Sequence, residues 1–346
     1  MKNKNFENWV NKRKAHLQKM APDEIFEKLK NGDRVALSSG ITLIESQNAS
    51  HREDANLLIQ KCLPFSGNSI RIGITGVPGV GKSTFIETFG KILTDKGFKV
   101  AVLAVDPTSS VSGGSILGDK TRMHELSVNE NVFIRPSPAG ETLGGVARKT
   151  RESILLCEAT GFDVILIETV GVGQSETVVK SMVDFFLLLM LSGAGDELQG
   201  IKKGIMEMAD ALVITKADGD NIRKSKIAAR EYKNAMHLFP PNKNNWVPKV
   251  LTCSSLENDG VNDVLEVILS FKKQLIENGF LMNARKEQDK MWMLETLKEL
   301  ILNDFFTDDQ MLLALNKVQK EVVNGEISSF QAAENMYQIY KDERRI

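Results

Sequence analysis

Residues 69–93 read SIRIGITGVPGVGKSTFIETFGKIL, and three things follow one another in that stretch: a β-branched apolar run, a glycine-rich turn, and a helical pattern. The turn Gly76-Val-Pro-Gly79-Val80-Gly81-Lys82-Ser83, followed by Thr84, fits G-x4-G-K-[ST]. In that pattern the glycines let backbone N–H groups close around phosphate oxygens, the lysine reaches the β- and γ-phosphates, and the Ser hydroxyl can ligate Mg2+. The N-terminus of the following helix adds its dipole. A strand before and a helix after are what such a phosphate-binding loop requires, and both are present.

Outward from this loop the same rhythm continues. Short apolar runs at 69–75, 99–105, 131–135, 163–168, 185–191, 211–215 and 249–253 alternate with helical stretches. This predicts an α/β P-loop NTPase fold, a mostly parallel sheet flanked by helices, over 66–279. Residues 1–65 show helical spacing instead, with Ile25, Leu29, Val35, Ile41 and Ile44 as its apolar positions, and are expected to form an N-terminal helical extension. Past residue 280 the strands stop. Trp292, Leu294, Leu297, Leu300 and Ile301, then Met311, Leu312, Leu315 and Val318, predict two helices in a C-terminal arm over 280–346. Helices outside the sheet must bury their apolar faces somewhere, so the arm is expected to make a homodimer.

Composition bounds the function. The 346 residues carry 44 basic and 45 acidic side chains, which leaves no global field to attract nucleic acid or an anionic membrane. The longest apolar run, 185–191, is far too short for a transmembrane helix and reads as a buried strand. Cys62, Cys157 and Cys253 are too far apart for a zinc knuckle, and an odd set does not make a disulfide framework. With no signal-peptide pattern at the N-terminus, a cytoplasmic location is expected. His16, His51, His124 and His237 have no metal-binding spacing.

Mg2+ held between β- and γ-phosphates needs hard oxygen ligands at the tips of neighbouring strands. Asp106 ends the run VAVLAV, Asp119 lies in the next loop, and Glu168 ends DVILI; with Ser83 they form the candidate metal set. Each acid alone also fits a helix cap or turn former. Residues 168–171, Glu-Thr-Val-Gly, resemble the D-x-x-G element of GTPases, whose glycine, here Gly171, senses the γ-phosphate. Glu168 is assigned to Mg2+ or to the attacking water, and Gln174 either orients water or opens a helix. Lys82, Glu168 and Asp106 are the residues expected to carry the chemistry.

Base selectivity is read at Thr215-Lys216-Ala217-Asp218, which follows the run ALVI. A carboxylate at Asp218 can accept from guanine N1–H and the 2-amino group, whereas adenine offers neither donor and leaves it unpaired. GTPases have Asn where Thr215 stands, so loss of an amide tether to the P-loop, and weaker nucleotide binding, is expected. Ser254, Ser255 and Leu256 after the next strand resemble the loop that contacts the guanine oxygen. Arg148 and Arg151 open a helical stretch and are expected on its solvated face.

Beyond these elements, VLAVDPTSSVSGGSILGDKTRM at 102–123, FIRPSPAGETLGGVAR at 133–148, ETVGVGQSE at 168–176 and GDELQGIKKGI at 195–205 closely resemble the MeaB/ArgK-type GTPases. The resemblance implies a G protein that docks on an adenosylcobalamin-dependent mutase, methylmalonyl-CoA mutase above all. There it gates cofactor loading, protection and reactivation without binding cobalamin itself, and cobalamin adenosyltransferase is a further candidate partner. It places Asp106, Asp119 and Glu168 around Mg2+ and makes Asp196, Glu197 and Lys202 a partner-responsive switch; from the residues alone that segment reads as a solvated loop. The competing readings are a P-loop ATP-dependent kinase and a nickel-insertion or targeting GTPase. The last is disfavoured by the lack of His- or Cys-rich tracts and by scattered methionines.

Overall fold

The computed structural model describes residues 20–46, 48–105, 123–136, 143–169, 175–193, 203–240 and 242–343. Seven strands form one sheet in the order β3-β2-β4-β1-β5-β6-β7. They are β1 (Ile70–Gly76), β2 (Val100–Val105), β3 (Val132–Arg135), β4 (Val164–Thr169), β5 (Phe185–Met190), β6 (Ala211–Ile214) and β7 (Lys249–Thr252). Every neighbouring pair is parallel. All seven expected runs are strands. Those of β1, β2, β4, β5 and β6 are buried along their whole length, which explains why the sequence reads as unbroken apolar runs rather than as alternation.

Between the strands lie α4 (Lys82–Asp95), α5 (His124–Ser127), α6 (Leu143–Ala159), α7 (Ser175–Lys180), α8 (Lys203–Met208) and α9 (Ile222–Met236). They follow α1 (Pro22–Lys30), α2 (Arg34–Glu45) and α3 (Arg52–Cys62), and after β7 comes α10 (Val261–Glu277). One core joins Ile72 and Ile74 of β1 with Phe85 and Phe89 of α4 and Ile268 and Phe271 of α10, where Phe185 meets Phe271 edge to face at 4.9 Å. A second joins Leu188 and Met190 of β5 with Met206 of α8 and Tyr232 of α9. Cys62, Cys157 and Cys253 are buried free thiols, and burial pushes Cys62 up to about 11.

The first three helices pack on α6. Asp33 caps α2 by accepting from the Val35 and Ala36 amides. Ile25, Leu29, Ile41 and Ile44 are buried as expected, but Val35 is 71% exposed. It lies in the first turn of α2, two residues before Leu37, and therefore off the face that Leu37, Ile41 and Ile44 share.

The chain divides into two units, Met1–Lys286 and Glu287–Ile346. The second holds most of α11 (Phe280–Thr307), then α12 (Asp309–Val323) and α13 (Ser329–Glu343). Two helices were expected in the arm, and α13 is a third. Its Ala332 and Met336 pack with Met311 and Val318 of α12, so only a narrow i, i+4 stripe marks it, while Phe330 is 83% exposed.

At the amino edge of the sheet two ion pairs are buried. Arg71 binds Glu158 of α6 through Nε and Nη2, both at 2.9 Å, and Glu158 also accepts from the Ser69 hydroxyl and the Gly67 amide. Arg285, in the first turns of α11, donates to Asp184 and to the carbonyls of Gly67 and Ser69. Burial opposes the Glu158 charge, but Arg71 and the other donors outweigh it and hold the carboxyl below its usual range. A depressed folded pKa gives stability present above the ordinary carboxylate value, ~4.3, and lost as pH falls through the folded one. In Arg71→Leu the two strongest opposing influences are gone, only the Ser69 hydroxyl and the Gly67 amide still oppose burial, and Glu158 shifts toward protonation. The variant is expected to lose roughly 3 kcal/mol or more at about pH 7 by urea unfolding, with the gap to the parent narrowing toward about pH 5.

Candidate functional site

The carboxyl ends of all seven strands lie on one edge, where ligands bind in open parallel sheets. β1 ends at Gly76, whose position against β5 is so close that a Cβ would come 2.5 Å from the Leu189 carbonyl oxygen. The chain then turns through Gly79 and buried Val80 to Gly81, which at φ 96° and ψ 31° opens α4 in the left-handed region that glycine favours. Ser83 and Thr84 fall in the first turn of α4, partly buried and exposed respectively.

Lys82 Nζ donates to the Gly76 carbonyl at 2.9 Å, so the loop's own backbone holds the ammonium. Burial lowers the Lys82 pKa, while the charges of Glu168 and Glu176 work against that loss. Glu168 is 5% exposed. In register it stands between Ile74 of β1 and Ala104 of β2, while its neighbour Thr169 donates to the Thr75 hydroxyl at 2.8 Å. Ser83 and Glu168 thus share one edge, a hydroxyl and a buried carboxylate, a hard-oxygen pair suited to Mg2+. Asp106, Asp119, Gly171, Gln174, Asp196, Glu197 and Lys202 lie outside the described residues.

After β6 the Thr215 hydroxyl donates to the Val80 carbonyl at 2.7 Å, with Met190 O at 3.2 Å. The expectation that threonine forfeits the tether to the P-loop is corrected here: a buried hydroxyl makes it. Lys216 adds a second, Nζ to the Gly79 carbonyl at 2.8 Å. Asp218 accepts from the Ser254 hydroxyl at 2.6 Å, and Thr88 of α4 donates to the Ser255 carbonyl at 3.0 Å. Leu256 is 80% exposed. The P-loop, residues 215–218 and residues 254–256 are therefore joined to one another by hydrogen bonds.

Arg148 and Arg151 depart from the solvated face expected of them. Arg148 pairs with Glu152 at 2.9 Å and Arg151 is 7% exposed, because α6 is covered by the sheet on one side and by α1, α2 and α3 on the other. Sequence reading also passed over Thr88, Ser192 and Asn221, for which local pattern offers no signal. It passed over Glu176 as well, 1% exposed in the first turn of α7. Glu176 does have a signal, an acid eight residues past Glu168 at the start of a helix leading back along the sheet.

Comparison with known proteins gives the family. The family described as methylmalonyl Co-A mutase-associated GTPase MeaB matches residues 37–310. A putative GTPase of Caulobacter vibrioides is 51% identical over 314 residues, covering 91% of this chain and 96% of the relative. GTPase ArgK of Escherichia coli is 48% identical over 286 residues, covering 83% and 86%. Among solved structures, one described as a LAO/AO transport system kinase superposes with a TM-score of 0.74 at 37% identity, covering 93% of this chain and 98% of that one. The chain belongs to the MeaB family of methylmalonyl-CoA mutase-associated GTPases.

Proposed function

We propose that this chain binds GTP between the P-loop and residues 215–218, hydrolyses it slowly, and uses the cycle to gate cofactor loading and reactivation in an adenosylcobalamin-dependent acyl-CoA mutase. The observation that carries the nucleotide reading is the Asp218 carboxylate, fixed by Ser254 in a loop tied to the P-loop through Thr215 and Lys216. A ligand held by both loops has its phosphates at Lys82 and its base edge at Asp218. The mutase is proposed from the family description and from the resemblance of residues 195–205, whose Asp196, Glu197 and Lys202 we assign to the partner-responsive switch.

Ser83 and Glu168 would hold Mg2+, and we assign Asp106 and Asp119 to the same set. Bound there, Mg2+ would supply positive charge against the phosphates of the nucleotide. Lys82 adds a positive charge that Glu168 and Glu176 help to retain against burial. Glycine amides around residues 76–81 orient the phosphates, and α4 directs its positive end at them. Positioning and charge neutralisation supply the catalysis, and no covalent protein intermediate is required.

One observation favours a second reading, since the structural relative is described as a kinase. Phosphate release from GTP and from ATP, with and without cobalamin-dependent methylmalonyl-CoA mutase, separates the two. The expected result is slow GTP-selective turnover, accelerated by the mutase and abolished in Lys82→Ala; ATP preference without a mutase response returns the kinase to first place. If Thr215 ties the two loops together, Thr215→Val is expected to weaken GDP binding by about tenfold, with Thr215→Ser close to the parent. Equal affinity of all three in a titration counts against the tether. Leu294, Leu297 and Ile301 share one face of α11 and are each about half exposed, and we assign them to a homodimer contact. Light scattering is expected to give twice the chain mass at micromolar concentration, and a monomer there overturns the assignment.

A further inference from the structure

Asn221 ends the 3₁₀ turn Gly219–Asn221 and stands at the N-cap of α9. Asparagine is common there because its side chain accepts from the amides of its own helix. In this chain it makes no such bond. Instead Nδ2 donates to the Lys216 carbonyl at 2.6 Å, and Oδ1 accepts from the Ser192 hydroxyl at 2.6 Å. A carbonyl only accepts, so the nitrogen must face Lys216 and the amide oxygen must face the serine.

The residue so gripped has an unusual backbone. Lys216 adopts φ 54°, a left-handed conformation that a long side chain seldom takes without support. Its other anchors are the Nζ bond to the Gly79 carbonyl and, on either side, the Thr215 hydroxyl to Val80 O and the Ala217 amide to Cys253 O. Asn221 is the one side chain that holds its carbonyl among the described hydrogen bonds. Release of that carbonyl frees Lys216 to relax toward negative φ, which turns the next peptides and with them Asp218.

We infer that Asn221 is a positioning residue for the base, locking Lys216 in its left-handed conformation so that Asp218 faces guanine at a fixed angle, with Ser192 just past β5 setting the amide. This rests on the reading that residues 215–218 receive guanine. Ser192 thereby ties the loop after β5 to the loop after β6. The role belongs to ground-state binding and not to the phosphate chemistry, which happens at the other end of the nucleotide.

The test uses the full chain, a fluorescent GDP analogue for affinity, and GTP and ITP turnover for the kinetic split. Inosine lacks the 2-amino group that Asp218 would accept from, so the GTP-to-ITP preference reports the angle of that carboxylate. Asn221→Ala is expected to weaken GDP by about tenfold and raise KM for GTP while kcat holds, and to narrow the GTP-to-ITP preference. Ser192→Ala is expected to change the same quantities less, and the double variant to be no weaker than Asn221→Ala alone, because the serine acts through the amide. Asn221→Asp puts a carboxylate oxygen against the Lys216 carbonyl and is expected to bind at least as poorly as the alanine. Unchanged GDP affinity in a folded Asn221→Ala, or additive effects of the two substitutions, overturns the inference. Should Asn221→Ala fail to fold, Ser192→Ala alone decides by the same readouts. A parent chain that binds no guanine nucleotide would instead refute the underlying reading.

Discussion

Parallel pairing of β1 with β4 on one side and β5 on the other is the constraint from which the site follows. Parallel strands need crossovers, so every connection returns over a face of the sheet and every strand delivers its carboxyl end to the same edge. Gly76, Glu168, Ser192, Thr215 and Cys253 arrive there from five strands. Close approach is then a matter of strand spacing: Gly76 lies so near Leu189 that no side chain fits between them. The P-loop is consequently shaped by its neighbour strand as much as by its own glycines.

The two edges of the sheet are built differently. At the amino edge charge is buried and paired, in Arg71 with Glu158 and in the bonds of Arg285 to Asp184, Gly67 and Ser69, and such pairs specify one arrangement more than they add net stability. Lys180 and Asp210 do similar work nearer the middle, tying α7 to the start of β6 at 2.7 Å, with the Phe186 amide as a second donor to the same carboxylate oxygen. At the carboxyl edge the bonds run instead between loops, and the backbone at Lys216 is strained. A cost of about 1–3 kcal/mol is typical of such a residue, and it persists only where surrounding contacts over-determine it. Strain there is consistent with a surface shaped for a ligand rather than for folding.

The strands and the phosphate loop were legible because their signals are local. An apolar run buried on both faces is visible as a run, and G-x4-G-K-[ST] carries its mechanism in its spacing. What escaped is what depends on partners distant in sequence. Arg151 looks like a surface arginine until α1, α2 and α3 are known to cover α6. Asn221 looks like a helix cap until Ser192, 29 residues away, is seen to claim its oxygen. The family resemblance drawn from residues 102–205 was sound, whereas α13 was missed because its buried stripe pairs a small Ala332 with Met336 and lacks the run of apolar neighbours, Met311, Leu312, Leu315 and Val318, that marks α12.

Thr215 shows how a motif can change letters and keep its function in the fold. An asparagine amide reaches further than a hydroxyl, so a shorter side chain can make the same link only if the two loops already lie closer together. The sheet brings the two loops together in this chain: β6 lies beside β5, β5 presses on Gly76, and the Thr215 amide itself donates to Met190 O at 2.8 Å. The hydroxyl has one proton, and the 2.7 Å bond to Val80 is the one that claims it; the longer approach to Met190 is secondary. Being 3% exposed, the bond is sheltered from competition by water, so its loss would leave a buried carbonyl unsatisfied in the P-loop itself. The threonine therefore makes the linkage through a short buried hydroxyl, and couples the base loop to the phosphate loop directly.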